Sequence, residues 1–401
     1  MKTNYLLLTL AIVAFLFASC QADDTADIVI NDNSIDNSST TNNPNGGNTG
    51  NVIENIGGTK TTDLILEQNK DYLLTEALIM TEGTTLTIPT GTVIKASLGA
   101  DVYIAISQGA MINANGTAED PIVLTSNSAT PNAGDWGGLI LLGKAPINSV
   151  SGGTATSTSE IGGLPYGGNI AEDDSGVIRF VRVEYSGGSA DASSENNGFS
   201  FYGVGNGTTV EYIQAFEGKD DGIEFFGGTV NASYISVVGA QDDSVDWTEG
   251  FSGTLENVYI EHGVNHDKGI EADGFNTDIG NNSNPLFFSK PTVNNVTILG
   301  RGSATENEAI RLRAGTQGIF TNLVIIGFEE GFDLDGDNGN SPTGQGVLDG
   351  NLSVTDITFV DVIVKMKNDT GYSFDQSDFI SGENNGTGAD YSTWGSSWTR
   401  N

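Results

Sequence analysis

Short runs of alternating apolar and polar residues, each closed by Gly or Asn, fill the chain from Phe180 to Phe328. "FVRVEY", "VEYIQAF", "ASYISVV", "NVYIEHG", "NVTILGR" and "NLVIIGF" set Val183, Ile213, Ile235, Ile260, Ile298 and Ile325 at equivalent positions. A period of two is the period of a β-strand, whose successive side chains point to opposite faces. It predicts these aliphatics inside and their neighbours Arg182, Tyr212, Tyr234, Tyr259, Thr297 and Val324 outside. Asn257, Asn295 and Asn322 recur two residues before the outward position and predict an amide ladder at a turn.

A second series interleaves with the first. It reads "NNGFSFYG", "DDGIEFFGG", "DDSVDWTEG", "DKGIEADG", "NEAIRLRAG" and "EEGFDLDG", with starts 24, 22, 25, 40 and 22 residues apart. The long step holds an insertion around "NTDIGNNSNPLFFSKP". Self-similarity at such a step marks a solenoid, in which each repeat buries its apolar face only against its neighbours. The prediction is an all-β chain forming a single right-handed parallel β-helix with coils of ~22–25 residues and rungs about 4.8 Å apart. Within each repeat the aliphatic and the aromatic point inward, as with Ile223 and Phe225 or Val245 and Trp247. The acid between them points outward.

Stacked coils turn the repeated acids into columns. Asp220, Asp242 and Asp267 share one, Asp221, Asp243 and Lys268 the next, and Glu224, Asp246, Glu271, Arg311 and Asp333 a third. Like carboxylates one rung apart repel or shift their pKa values upward. A bound cation, the interleaved Lys268 and Arg311, or water must offset that cost. One alternative is a solvated edge that discourages end-on aggregation; the other is a functional face.

Composition narrows the partners. Sixteen Lys and Arg against 52 Asp and Glu give a formal charge of −36. Nucleic acid and anionic lipid both need a basic face, so neither is expected. The opening "MKTNYLLLTLAIVAFLFASC" has a basic start, an apolar run from Leu6 to Phe17 and small residues before Cys20, and reads as a signal peptide over 1–19. Residues 20–57, rich in Asn, Ser, Thr and Asp, predict a disordered tether. A flexible coil of that length spans about 30–36 Å. The β-helix is expected over 58–401, with Trp394 and Trp398 in a C-terminal cap.

Several chemistries fit these residues. "DLDGDNG" sets Asp333, Asp335 and Asp337 at alternate positions, as in the first half of a calcium loop, but Asn338 and Gly344 replace its usual Gly and Glu. Ca2+ is the cofactor to expect. His262 and His266 are the only histidines and suit a structural or hydrogen-bonding role. Tyr212, Tyr234 and Tyr259 form either a stacking platform for sugar rings or a ladder that stabilises the sheet. Glu224, Glu271, Arg311 and Arg313 complete the expected ligand face. Glycoside hydrolysis needs two carboxylates at set separations, which stacked rungs supply automatically. Asp242, Asp243 and Asp246 are therefore the catalytic candidates, with Lys268 to orient an acid or to serve as the base of a lyase.

"GDWGGLILLGKAPIN", "EFFGGTVNASYISVVGAQDDSVDWTEGFSG" and "HDKGIEADGFNTDIGNNSNP" resemble motifs of secreted parallel β-helix lipoproteins of the Bacteroidetes type. The "FASC" ending resembles a lipobox, which implies cleavage before Cys20 and its acylation. The early acids Asp23 and Asp24 resemble a surface-export signal. The resemblance implies a lipid anchor in the outer membrane facing the exterior, with glycans or other extracellular ligands, and an outer-membrane protein, as partners. The broader fold resembles pectate lyases and polygalacturonases, but their His and Arg-x-Lys elements are not in place, so no catalytic residue is carried over. The expected function is a glycan-binding or accessory surface protein with an acidic, cation-binding face. The alternative is a polysaccharide hydrolase or lyase.

Overall fold

The computed structural model describes residues 53–149, 156–190, 195–277, 285, 287–304, 308–336 and 343–401. Cys20 and Asp337 lie outside the described residues. Twenty-three strands join one sheet through parallel pairings, and the pair Ser157–Thr158 with Pro165–Tyr166 is antiparallel. This is the parallel β-helix that the repeats predict. The first strand, Ile53–Lys60, reaches into the segment expected to be tether.

The repeats from "NNGFSFYG" to "EEGFDLDG" form the first column of the structure, and it stacks in the predicted register. Phe199, Ile223, Val245, Ile270, Ile310 and Phe332 lie rung on rung, and so do Phe201, Phe225, Trp247, Ala272, Leu312 and Leu334. All twelve are completely buried. Burying one such aliphatic or Phe side chain is worth about 1.5–3 kcal/mol. Repeating it at every rung holds the solenoid together, and among the described residues the helices are short: Thr343–Leu348, Gln376–Phe379 and Tyr391–Trp394.

The alternating runs from "FVRVEY" to "NLVIIGF" form the second column, which departs from expectation by two residues. Ile213 and Ile235 stack with Val181, Val258, Val296 and Leu323. Val183 stacks instead with Ala215, Val237, Ile260, Ile298 and Ile325. Both sets face inward, so a slip of two leaves the apolar pattern unchanged. What fixes the true register is a corner in the left-handed conformation. Phe180, Tyr212, Tyr234, Asn257, Asn295, Asn322 and Asp356 occupy it with φ between 49° and 62°. Asn and Asp tolerate this backbone, whereas for other residues it costs roughly 1–2 kcal/mol. The predicted amide ladder is here. Asn295 donates to Asn257 at 3.3 Å and Asn322 to Asn295 at 2.7 Å. The aromatic residues at this corner stack instead, Phe180 on Tyr212 and Tyr212 on Tyr234, each at 4.2 Å.

The C-terminal segment is a strap along the side of the solenoid and not a cap on its end. From the last coils it runs back towards the middle. Thr387 donates to Asn322, Ala389 to Thr297 at 3.0 Å, and Tyr391 stacks on Tyr259 at 3.8 Å. Trp394 meets Tyr234 edge-on, and Trp398 meets Phe180 and Tyr212. Arg400 finally exchanges two 2.7 Å hydrogen bonds with Gln214 and pairs with Glu184 at 2.9 Å.

Candidate cation and ligand site

From Ile79 onward the outward residue of the first column runs through Ile79, Ala105, Ile140, Ser200, Glu224, Asp246, Glu271, Arg311, Asp333 and Lys367. Its character changes partway. Ile79, Ala105 and Ile140 pack under a satellite apolar cluster with Tyr103, Ile147, Ile161 and Tyr166. Beyond Ser200 every rung is charged.

Beside this column the paired acids do structural work. Asp221 Oδ1 accepts the backbone N–H of Asp243 at 3.0 Å, and Asp243 Oδ1 accepts that of Lys268 at 2.8 Å. Each second acid of a pair thus caps the amide of the next coil. Oxygens of Asp221, Glu224 and Asp246 converge to within 4.8 Å of one another. Asp243, Asp246 and Glu271 do the same, as do Asp220, Asp221 and Asp242, and Asp242, Asp243 and Asp267.

The cations are unevenly shared. Glu271 receives Lys268 at 3.1 Å, Arg311 at 3.7 Å and Arg313 at 2.5 Å. Lys268 also pairs with Asp243 at 3.7 Å and Asp267 at 2.5 Å. Arg311 reaches Asp335 at 2.6 Å, and Arg313 reaches Asp273 at 2.5 Å. The Asp221–Glu224–Asp246 triad makes no ion pair among the described residues. Asn197 donates to Glu224 at 2.7 Å, while the enclosed Oδ1 of Asp246 accepts no hydrogen bond. A buried anion without a partner is costly, and such a group takes up a proton or a cation.

The electrostatics follow. Burial first, then the neighbouring acids, push Asp221, Glu224, Asp243 and Asp246 far above the ordinary carboxylate range. Asp220 is pushed up to about 8 by burial and by Glu195 and Asp242. Burial opposes the charge on Lys268, yet Asp243, Glu271 and Asp267 together hold its pKa above the usual lysine value.

One face therefore gathers Asp242, Asp243, Asp246, Lys268, Glu224, Glu271, Arg311, Arg313 and Asp333. The three tyrosines are elsewhere. Tyr212 and Tyr234 stand at the left-handed corner, whereas Tyr259 stacks between Ser236 and Thr297. They are not one line, and their rings pack against one another and against the strap. Tyr212 and Tyr234 stack at the corner and Tyr259 stacks under the strap, which is neither a single three-tyrosine platform nor a single three-tyrosine ladder. Asp335 is engaged by Arg311, and Asp337, the third acid of the expected calcium loop, lies outside the described residues. His262 is buried, its ring stacked on His266 at 4.5 Å and edge-on to Phe328, in keeping with a structural role.

Two contributors escaped the sequence reading. Asn197 sits where the later repeats carry their second acid, a signal present in "NNGFSFYG". Glu160 comes from a loop with no repeat signature, and its charge adds to those of Glu224 and Asp220. It also lines an open cleft of about 480 Å³ with Glu76, Asp101, Tyr103, Ile161 and Ala190.

Comparison with known proteins places this geometry in a family. A family model described as a pectate-lyase-like β-helix domain matches residues 58–399. Searches of curated proteins and of solved structures each return no match. A match over that length, on a chain whose strands stack as parallel coils, makes the chain a member of the pectate-lyase-like β-helix family.

Proposed function

We propose that this protein is a glycan-binding or accessory lipoprotein of the outer-membrane surface, whose acidic face holds a divalent cation, calcium, in the Asp221–Glu224–Asp246 triad. One observation carries this reading: three converging carboxylates, Asp221 buried and Glu224 and Asp246 half-buried, that make no ion pair among the described residues, with the enclosed Asp246 Oδ1 left without a donor. Oxygen-only ligands from carboxylates suit a hard cation, and the irregular set suits calcium better than magnesium. The fold is compatible with glycan binding, and the cleft lined by Glu160, whose charge acts on Glu224, offers room for a sugar unit. Cys20 supplies the anchor by acylation.

Calorimetric titration of the EDTA-stripped protein with calcium tests the cation. Asp246→Asn should weaken binding at least tenfold, and unchanged binding in that variant rejects the site. A glycan array probed with and without calcium tests the ligand, and a hit lost on chelation supports it. Membrane fractionation of Cys20→Ala tests the anchor, for which continued membrane retention is the adverse result.

A second reading, a polysaccharide hydrolase or lyase, draws on the raised pKa values of Asp243 and Asp246, which suit a general acid. Against it, Lys268, Arg311 and Arg313 are each held in ion pairs that keep them protonated, leaving none of them to act as base. Glycan turnover by the purified protein, abolished by Asp243→Asn, would favour this alternative.

A further inference from the structure

The outward column carries another set of acids beyond Glu271. Glu308 lies opposite Glu330 where the strands Glu308–Arg313 and Gly318–Leu334 pair, and Asp333 lies beneath Arg311. One carboxylate oxygen from each of Glu308, Glu330 and Asp333 lies within 4.8 Å of the others. Asp333 is only 5% exposed, and its enclosed Oδ1 accepts no hydrogen bond. The enclosed Oε2 of Glu330 accepts none either.

The nearby cations do not fill this gap. Lys367 is 40% exposed, and its Nζ stands 3.6 Å from Glu330 Oε2, 3.5 Å from Asp333 Oδ2 and 3.4 Å from Asp369. These are rim contacts, longer than a charged hydrogen bond of about 2.7–2.9 Å. They reach Asp333 through Oδ2, not through the orphaned Oδ1. Arg311, the other neighbour, turns its guanidinium to Asp335 and Glu271. Among the described residues Asp333 Oδ1 thus lacks any donor, and Glu330 Oε2, on the same strand, faces only the rim lysine, whereas buried polar atoms nearly always have a hydrogen-bond partner.

We propose that Glu308, Glu330 and Asp333 hold a second divalent cation, calcium, separate from the Asp221–Glu224–Asp246 triad. The ion clamps two successive coils, since Glu308 and Glu330 belong to different rungs, and Asp333 closes the set from the outward column. This site shares Asp333 with the sequence-predicted calcium loop but draws its other ligands from the ladder. Three carboxylates and no nitrogen or sulfur ligand favour a hard ion over zinc or copper.

The test is calcium stoichiometry by equilibrium dialysis of the full chain after EDTA treatment, with thermal unfolding alongside. Asp333→Asn and Glu308→Gln are compared in the wild type and in an Asp246→Asn background. Each should remove one bound calcium, or weaken that site at least tenfold, in both backgrounds, together with part of the calcium-dependent rise in Tm. Glu308→Gln, at a less buried ligand, gives the answer if Asp333→Asn does not fold. Wild-type stoichiometry and affinity in Glu308→Gln overturn the proposal. If Asp246→Asn keeps every calcium while Glu308→Gln loses one, the first site fails and this one stands.

Discussion

Removing one acid from the ladder should make the protein more stable, and more so as pH rises. Asp220 is nine-tenths buried, and its pKa rises from the ordinary 3.8 to about 8. For an acid whose folded pKa is raised, the native state holds a proton that the unfolded chain has released. Stability is therefore lost as pH rises between those two values. Each pH unit is worth about 1.4 kcal/mol for one group. Between pH 6.5 and 8 Asp220 alone removes about 2 kcal/mol, and by pH 8 about 6 kcal/mol as an upper bound. At ~2.1 cal/mol/K of unfolding entropy per residue, a solenoid of about 350 residues shifts Tm by roughly 1.4 °C per kcal/mol. In EDTA the wild type should therefore lose about 3 °C or more from pH 6.5 to 8. The other raised acids, Asp221, Glu224, Asp243 and Asp246, steepen that slope. Asp220→Asn should flatten it and raise Tm at pH 8 by up to about 8 °C. Saturating calcium should remove the share of the slope due to its ligands, because carboxylates bound to the ion stay deprotonated in the native state as they are in the unfolded chain. Differential scanning calorimetry across that window is the assay. A wild-type Tm in EDTA that stays flat or climbs from pH 6.5 to 8, or an Asp220→Asn variant less stable at pH 8, would refute the reasoning.

Acid should act on a different residue. Burial and the neighbouring His266 lower the His262 pKa from 6.5 to about 3, so the unfolded chain protonates first and stability falls as pH drops from 6.5 towards 3. His262→Phe should recover about 3 kcal/mol at pH 4 and little at pH 7, read as urea midpoints at the two pH values. Deleting residues 385–401 should remove the ring contacts of Tyr391, Trp394 and Trp398 with the corner aromatics and Tyr259. At ~0.5–1.5 kcal/mol per aromatic pair, the four contacts give a loss of about 2–6 kcal/mol, measurable in the same titration. A truncated chain as stable as the full one would show that the strap is ornamental.

The first column was legible in the sequence because its determinants are local. Each repeat carries two apolar residues flanking a polar or charged one, so the inward and outward sides and the stacking of Glu224, Asp246, Glu271, Arg311 and Asp333 follow from period and step. The second column was legible only in its parity. Val181 and Val183, or Ile213 and Ala215, are equivalent to a period of two, and the choice between them rests on a left-handed corner with both Tyr and Asn in its column. Misplacing that corner also misplaced the tyrosines.

Three things belonged to the tertiary structure alone, and each joins residues far apart in the chain. The strap ties Arg400 to Glu184 and Trp398 to Phe180, contacts that no periodicity encodes. Lys268, Arg311 and Arg313 gather on Glu271 and leave Asp221, Glu224 and Asp246 without an ion pair among the described residues, a choice made by side-chain reach across coils. The acids at Glu308, Glu330 and Asp333 close on one another through the strand pairing. Sequence period sets which residues share a face, since alternation and coil length are properties of the chain. Which charge is neutralised, and which is left to a ligand, is decided by distances of a few ångströms between coils, where Coulomb and desolvation energies change steeply.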